Sequence, residues 1–332
     1  MTEAIVGQTL SKTAERAYWL GRYLERVENS ANLLLSFSRL IIDLPLRTPA
    51  LWSTLIDITG TREHFSEHYD ESSERAVCRW LINDQRNAGS LLQSASNARE
   101  NARTLQGVIP RVAYEYVNEL LLECRESLTE PLSRSRRTDG LAAAIEVALR
   151  TDGFLSGNML HDDVWRFYRL GVFVERADMT TRVIDLGAST GYGPLEELDA
   201  FAELRWRMVL RSRGAEQNYR RCYQEPISQA TVLDFLLRNP ALPSSLQYCV
   251  TSLQQSLRSL PRPTASTRTL APIRRAVKSL DIDALTNEEA SALVDDWQEQ
   301  LAQLHDKLTR TYFEPDRLSE ERAGEVRSAH KQ

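Results

Sequence analysis

The sequence predicts an all-α protein, a multi-helix bundle, on three observations. Glycine and proline are scarce, with 14 and 12 residues among 332, which disfavours many short strands joined by tight turns. Apolar residues recur at helical spacing along most of the chain, and no segment shows the alternation of a half-buried strand. One helical segment, residues 20–28, recurs in altered form at residues 170–178.

The recurrence extends to further blocks in the same order, which predicts an internal duplication. Trp52, Gly60, Phe65 and Tyr69 correspond to Trp206, Gly214, Tyr219 and Tyr223, and residues 80–82 correspond to residues 235–237. Because each half would need a partner for its apolar faces, we expect a single domain over residues 1–332. Its halves would span about 10–150 and 160–313, followed by a charged, flexible tail at 314–332.

The first half is predicted to open with a helix from about Ser11 to Asp43. It has an apolar face that includes Leu20, Leu24 and Val27, and it ends before Pro45 because residues preceding proline avoid helical backbone. Further helices are expected at about 49–69 with a break at Gly60, and at 74–82, 88–108, 110–131 and 141–149. The polar segment 83–87 is predicted to be a turn and 133–140 a solvated loop.

The second half repeats this order. Helices are predicted at about 162–186, 196–223, 228–237, 243–260, 273–280 and 287–312, with turns at 187–194 and 238–240. The segment 260–272, rich in Pro, Ser, Thr and Arg, is predicted to be the least ordered internal connection. The chain after Pro315 is expected to fray.

Composition excludes several functional classes. The net charge of −5 with interspersed signs does not indicate a nucleic-acid-binding surface. No apolar run reaches the ~18–20 residues of a membrane span, and Met1 to Leu10 lacks the features of a signal peptide, so we predict a cytoplasmic protein without a membrane partner. The four cysteines, Cys78, Cys124, Cys222 and Cys249, form no C-x-x-C pair and are expected to be buried as small hydrophobic residues.

The main candidate site is the polar flank of the repeated helix. Arg22, Glu25, Arg26, Glu28 and Asn29 lie within two helical turns, and this pattern alone fits a solvated face with weak local ion pairs. A second interpretation rests on Gly21 and Gly171, which stand mid-helix in equivalent positions at a cost of about 1 kcal/mol each relative to Ala. Such glycines indicate close approach of another backbone.

If the two glycine-bearing helices cross, Glu25 and Glu175 would meet at a shared polar centre. Glu175 and Arg176 repeat the Glu25-Arg26 pair. Asp178 and Arg182 belong to the same candidate group on the second helix. The two glutamates are the candidates for a catalytic role.

Two other groups of charged residues are candidates for ligand or partner binding. Arg99 and Arg103, with Glu100 between them, are like charges one helical turn apart, which is mildly unfavourable unless an acidic group faces them. They are expected either to face Glu25, Glu175 or an acidic ligand, or to form an exposed basic edge. Arg211, Tyr219 and Arg220 form a weaker group in the second half.

Metal and cofactor chemistry is not indicated. No histidine follows these acids at the Glu-x-x-His spacing of di-iron bundles. His64 and His68 have helical ligand spacing without an evident third ligand. Nucleophile motifs and phosphate-binding glycine loops are lacking in the sequence, so no cofactor and no metal are predicted.

These residues give the chain a resemblance to a known family. Thr13-Ala14-Glu15, Tyr18 to Asn29, Ala98 to Arg103, Trp165-Arg166-Phe167, Leu170-Gly171, Glu175 to Thr180 and Tyr219-Arg220-Arg221 resemble the motifs of the bacterial alpha-E domain proteins. One difference is Val172, where the family usually has arginine. The resemblance implies a helical protein encoded beside a circularly permuted ATP-grasp protein, often with a transglutaminase-like protein, and a role in amide or peptide bond formation or modification.

Two functions follow as expectations. The first is a partner module that binds an ATP-grasp-type ligase, with the transglutaminase-like protein as a further expected partner, and holds a peptide or small carboxylate through its Arg/Glu centre. The alternative is a stand-alone enzyme acting on an amide or amino-acid derivative, with Glu25 or Glu175 as general acid/base and Arg99 or Arg26 holding a carboxylate.

Overall fold

The prediction of an all-α fold is confirmed. A computed structural model describes residues 2–44, 49–129, 133–188, 201–261 and 264–314, and within these ranges it contains helices and no strand. The first-half helices are α1 (Thr2–Asp43), α2 (Ser53–Ile58), α3 (Arg62–Ser66), α4 (Glu74–Ile82), α5 (Leu91–Thr104), α6 (Arg111–Ser127) and α7 (Arg134–Asn158). The second-half helices are α8 (Asp163–Ala188), α9 (Ala202–Ser212), α10 (Glu216–Cys222), α11 (Gln229–Arg238), α12 (Leu246–Arg258), α13 (Thr264–Thr269), α14 (Ala271–Ser279) and α15 (Asn287–Leu308).

Helices α1 and α8 form the centre of the fold. They pack against each other over the largest helix–helix contact in the described structure, while α5, α7 and α9 pack on α1, and α12 and α15 pack on α8. Both therefore carry buried residues around much of their circumference. Tyr18, Leu20 and Val27 of α1 and Leu170 and Val183 of α8 are fully buried.

The two central helices approach each other backbone to backbone at their glycines. A Cβ atom placed on Gly21 would lie 2.3 Å from the carbonyl oxygen of Tyr168. One placed on Gly171 would lie 1.9 Å from the carbonyl oxygen of Tyr18. Any side chain at these positions would push the helices apart, so glycine is required at the crossing.

Equivalent features occur in both halves at the spacing that the duplication predicts. Gly60 and Gly214 both have positive φ, 66° and 58°, a conformation that glycine adopts without steric cost. In the first half, Phe65 stacks on Tyr69 at 4.9 Å and 13°, and in the second half Tyr219 stacks on Tyr223 at 4.9 Å and 14°. The duplication stays an interpretation, and these matched geometries support it.

Several predicted boundaries differ from the structure. Residues 134–140, predicted as a solvated loop, form the first turns of α7, because Ser133 caps the helix by accepting from the Arg136 amide. Arg137 is buried and pairs with Glu74, and Gly140 lets α7 approach Leu128. The segment 260–272 also contains helix, α13.

Other expectations are corrected in detail or lie outside the described residues. Helix α1 begins at Thr2 and not near Ser11. Cys222 is exposed, whereas the other three cysteines are buried as predicted. The predictions for Pro45, for most of the 187–194 turn, for the start of the 196–223 helix and for the tail after Pro315 fall outside the described ranges.

Candidate functional site

The α1–α8 crossing places each Glu-Arg pair against its counterpart on the other helix. Arg26 binds Glu175 through two hydrogen bonds, Nε to Oε1 at 2.5 Å and Nη2 to Oε2 at 3.0 Å. Arg176 binds Glu25 in the same way, at 2.7 and 2.6 Å. Arg22 adds a third bond to Glu175, Nε to Oε2 at 2.6 Å. The structure thus brings these predicted residues together in one charged centre, with each glutamate held by the opposite helix.

Both glutamates are removed from solvent. Glu25 is 4% exposed and Glu175 is 3% exposed. A buried ion pair must recover a desolvation cost of several kcal/mol per ion through close, well-oriented contacts. The bidentate arginine–carboxylate geometry provides such contacts, so the centre is a specific cross-link between α1 and α8.

The charge environment fixes Glu175 as a carboxylate. Burial alone would raise its pKa, but the positive charges and hydrogen bonds of Arg22 and Arg26 outweigh burial and lower the pKa to about 2. A group with this pKa stays ionised at neutral pH and is a poor proton donor or acceptor there. The predicted general acid/base role therefore gains no support at Glu175.

A second group of polar residues lies beside Glu25. Asn29 donates to Glu25 Oε1 at 3.2 Å and accepts from Arg213 Nη1 at 2.5 Å. Burial lowers the pKa of Arg213, although Glu25 and Glu28 oppose this effect, and the Arg213 Nε has no hydrogen-bond partner among the described residues. Burial and the neighbouring Glu25 charge raise the pKa of Glu28 to about 7.

A chain of hydrogen bonds extends the centre to α15. Arg22 Nη1 donates to the Tyr18 hydroxyl at 3.2 Å, and this hydroxyl lies 3.0 Å from His305 Nδ1. Because the Tyr18 oxygen already accepts from Arg22, its proton is available for the histidine nitrogen. Burial and the nearby Arg22 charge lower the pKa of His305, which agrees with a neutral imidazole accepting this bond.

A cleft of about 230 Å³ adjoins the Glu175 side of the centre. Its polar wall includes Arg26, Glu175, Asp178 and Arg182. The apolar part of the wall consists of Leu33, Leu34, Leu81 and Met179, and the rest comes from Ser30, Thr59, Thr61, Asn87 and Gly89.

Arg182 and Asp178 shape one side of the cleft. Arg182 Nε donates to Asp178 Oδ2 at 2.8 Å, and Nη1 donates to the Ile58 carbonyl oxygen at 2.7 Å. The second bond fixes the turn around Gly60 against α8. These two predicted residues therefore belong to the cleft rather than to the buried pairs.

Arg99 and Arg103 do not face Glu25 or Glu175, as one interpretation of the sequence expected. Arg99 donates to Asn118 at 3.1 Å and to Glu100 at 2.7 Å, and Arg103 donates to Glu100 at 3.0 Å. The reason is the orientation of α5, which turns Ala95, Ala98, Asn101 and Ala102 inward and leaves the arginines on the other face.

Arg211, Tyr219 and Arg220 are also placed away from the centre. Arg211 and Arg220 both bind Glu216, at 2.8 and 2.6 Å, and the Tyr219 hydroxyl lies 2.6 Å from the Thr231 hydroxyl. This group stabilises the short helix α10. His64 and His68 are exposed, and among the described residues no group of three His, Cys, Asp or Glu side chains is arranged to hold a metal ion.

Two residues that contact the centre carry no signal in the local sequence. Arg213 and His305 reach Asn29 and Tyr18 from positions 184 and 287 residues away in the chain, so no local pattern could identify them. Tyr168, which stands 150 positions after Tyr18, donates instead to Asp152 at 2.7 Å.

Residues 9–313 match the Alpha-E family, described as a predicted alpha-helical domain with a conserved ER motif. Glu25-Arg26 and Glu175-Arg176 are two of the five Glu-Arg dipeptides in the sequence. No helix among the described residues has both the length and the apolar character needed to cross a bilayer.

The chain is also similar to curated mycobacterial proteins. An uncharacterised protein of Mycobacterium bovis is 27% identical over 269 residues, which cover 76% of this chain and 30% of the relative. An uncharacterised protein of Mycobacterium tuberculosis is 26% identical over 269 residues, with the same coverage.

The chain thus spans about 30% of the length of these curated relatives. No solved structure matches. Since the family match extends over most of the sequence, the chain belongs to the Alpha-E family.

Proposed function

We propose that this protein is a binding module that works beside an ATP-grasp-type ligase and holds a peptide or small carboxylate for it. The observation that carries the proposal is the reciprocal engagement of Glu25 and Glu175 by arginines of the opposite helix. This arrangement uses the Glu-Arg pairs to fix the helix crossing. It leaves the adjoining cleft as the place where a ligand can be held.

The relatives support a module that acts together with other protein sequence. In the two mycobacterial proteins, the matched segment makes up 30% of the chain. The domain there is joined covalently to a longer sequence, and such a junction keeps two units at high effective concentration. The resemblance to alpha-E proteins encoded beside ATP-grasp and transglutaminase-like proteins supplies the class of partner.

Complex formation tests the partnership. The chain would be co-expressed with the ATP-grasp-type protein encoded nearest to it and studied by sedimentation velocity at micromolar concentrations. We expect a stable complex. The absence of a complex, with both proteins folded, would contradict the proposal.

The alternative function, an enzyme acting on an amide or amino-acid derivative, is favoured by one observation, which concerns Glu28 and not the predicted Glu25 or Glu175. Burial and the Glu25 charge raise the pKa of Glu28 to about 7, which is suited to proton transfer at neutral pH. Glu28 is not among the residues that line the cleft, so we rank this alternative second.

A measurement of amide or peptide bond formation or modification in the presence of the ligase separates the two functions. An enzyme with Glu28 as its acid/base group would lose activity in the variant Glu28→Gln. A binding module would retain it, because the ligase carries the chemistry.

A further inference from the structure

The charges around the cleft do not balance. Two carboxylates, Glu175 and Asp178, interact electrostatically with three arginines, Arg22, Arg26 and Arg182. Arg22 and Arg26 both bind Glu175, and Arg182 binds Asp178. Within this group of five residues, one positive charge is in excess.

The equivalent position beside Glu25 on α1 carries a different set of charges. At the 150-residue spacing, Glu175, Asp178 and Met179 correspond to Glu25, Glu28 and Asn29. There, Arg176 binds Glu25, and Arg213 bonds to Asn29 and lies within the electrostatic influence of Glu28. Two arginines thus face two acidic side chains, without the additional arginine present at the cleft.

The excess charge borders the cleft and is accessible from it. The side chains of Arg26 and Arg182 are 23% and 27% exposed, and both residues line the cleft. Arg22 is more buried, at 13%. A guanidinium in a partly desolvated site favours an anion, and its planar donors suit a carboxylate.

The size and lining of the cleft limit the ligand. Its volume of about 230 Å³ exceeds the ~30 Å³ of a single water and lies below the ~300 Å³ at which pockets for drug-sized molecules begin. The apolar part of the lining consists of Leu33, Leu34, Leu81 and Met179.

We infer that the cleft binds a single carboxylate attached to a short aliphatic group, with Arg26 and Arg182 facing the carboxylate. This inference rests on the proposed function, because it names the chemical feature of the peptide or small molecule that the module would hold. A peptide C-terminus and an acidic side chain both present this chemistry.

Three small probes test the inference by titration followed through protein NMR shifts. N-acetyl-L-leucine carries the carboxylate and aliphatic group of a peptide C-terminus, and N-acetyl-L-leucinamide lacks only the carboxylate. N-acetyl-L-glutamic acid α-amide carries its carboxylate on the side chain. We expect saturable binding of at least one acid, about tenfold or more tighter than the amide.

The acid that binds more tightly shows whether the cleft prefers a peptide C-terminal carboxylate or a side-chain carboxylate. Equal binding of N-acetyl-L-leucine and its amide, without tighter binding of the glutamate probe, would overturn the inference. Saturation by none of the three probes would overturn it as well.

Arg182→Gln is the charge-removing variant, and Arg238→Gln is its matched control. Arg238 resembles Arg182 closely: it pairs with an acid four residues earlier, Asp234, donates to a backbone carbonyl and is 31% exposed. It does not line the cleft. We expect Arg182→Gln to weaken binding of the acid by about tenfold and Arg238→Gln to leave it unchanged.

A second variant keeps the test decisive if Arg182→Gln does not fold. Ser30 lines the cleft, and Ser30→Leu would fill it without removing a charge. If Ser30→Leu bound the acid as tightly as wild type, the cleft would not be the binding site.

The outcome is independent of the ligase experiment. Failure of the acid probes with an intact ligase complex would remove this inference and leave the partnership. A missing complex with intact acid binding would remove the partnership alone.

Discussion

Gly171 and Tyr18 lie in direct backbone contact, so close that a Cβ on Gly171 would stand 1.9 Å from the Tyr18 carbonyl oxygen. This contact sets the separation of α1 and α8. The same separation lets Arg26 and Arg176 reach the glutamates of the opposite helix. The repeated glycine and the repeated Glu-Arg pair are therefore two parts of one arrangement.

The glycine contact predicts a large loss of stability for Gly171→Ala. The new methyl group can be accommodated only if the helices separate, which strains both ion pairs, and we expect the free energy of unfolding to fall by about 3 kcal/mol. Urea denaturation measures this change.

Gly153→Ala is the matched control for this substitution. Gly153 also lies inside a long helix, α7, but an added Cβ there would meet nothing within 4 Å. That variant should be more stable than wild type by about 0.5–1 kcal/mol. Equal stability of Gly171→Ala and wild type would refute the proposed role of the contact.

The buried centre predicts that Glu175→Gln is strongly destabilising. The change leaves Arg22 and Arg26 without their carboxylate in a site where Glu175 is 3% exposed, and breaking a buried pair in this way costs about 3–5 kcal/mol. Thermal or urea unfolding provides the measurement.

Glu100→Gln is the control for burial. Glu100 is also bound by two arginines, Arg99 and Arg103, but its side chain is 49% exposed. Exposed pairs contribute little, so its stability should match wild type. Similar losses in both variants would show that burial is not what makes the centre important.

Glu28 predicts a distinctive pH dependence. Its pKa is raised from 4.5 to about 7 in the folded protein, so the folded state binds more protons than the unfolded state between these values, and its contribution to stability falls as pH rises through them. Glu28→Gln should remove this penalty and be more stable than wild type at pH 8 by on the order of 2 kcal/mol.

Urea denaturation of both proteins from pH 4 to pH 8 checks this prediction. The difference in stability between Glu28→Gln and wild type should grow with pH. A constant difference over this range would contradict the raised pKa.

For His305 we predict a pH dependence of stability opposite to that of Glu28. Burial and the Arg22 charge lower its pKa below 6.5, so the unfolded state binds the proton more readily, and the contribution of His305 to stability is lost as pH falls below that value. His305→Gln should therefore lose less stability than wild type on acidification. Parallel stability curves for the two proteins would count against a neutral, hydrogen-bonded His305.

Much of the fold and part of the site could be predicted from local patterns. Helical spacing and scarce glycine and proline indicated the all-α class, and the equivalence of Gly21 with Gly171 indicated a close crossing. The recurrence of Glu-Arg at positions 25 and 175 then predicted a polar centre, because residues four positions beyond each glycine lie one turn from the contact.

The predictions that were wrong concern features that depend on tertiary packing. Arg99 and Arg103 have the composition of a ligand site, but the packing of α5 directs them to Glu100 and Asn118. The polar segment 134–140 looked like a loop, yet it is held as helix by the Ser133 cap and by the Arg137–Glu74 pair. Arg213 joins the centre through a contact with Asn29, which lies 184 residues away in the chain.

The central claim, that the Glu-Arg pairs hold α1 and α8 together, is tested most directly by a double-mutant cycle on Glu25 and Arg176. The free energies of unfolding of wild type, Glu25→Gln, Arg176→Gln and the double variant give the coupling between the two side chains. We predict a coupling of about 2 kcal/mol or more, and no measurable coupling in the same cycle on the exposed Glu100–Arg103 pair. A coupling near zero between Glu25 and Arg176, with all four proteins folded, would contradict the account.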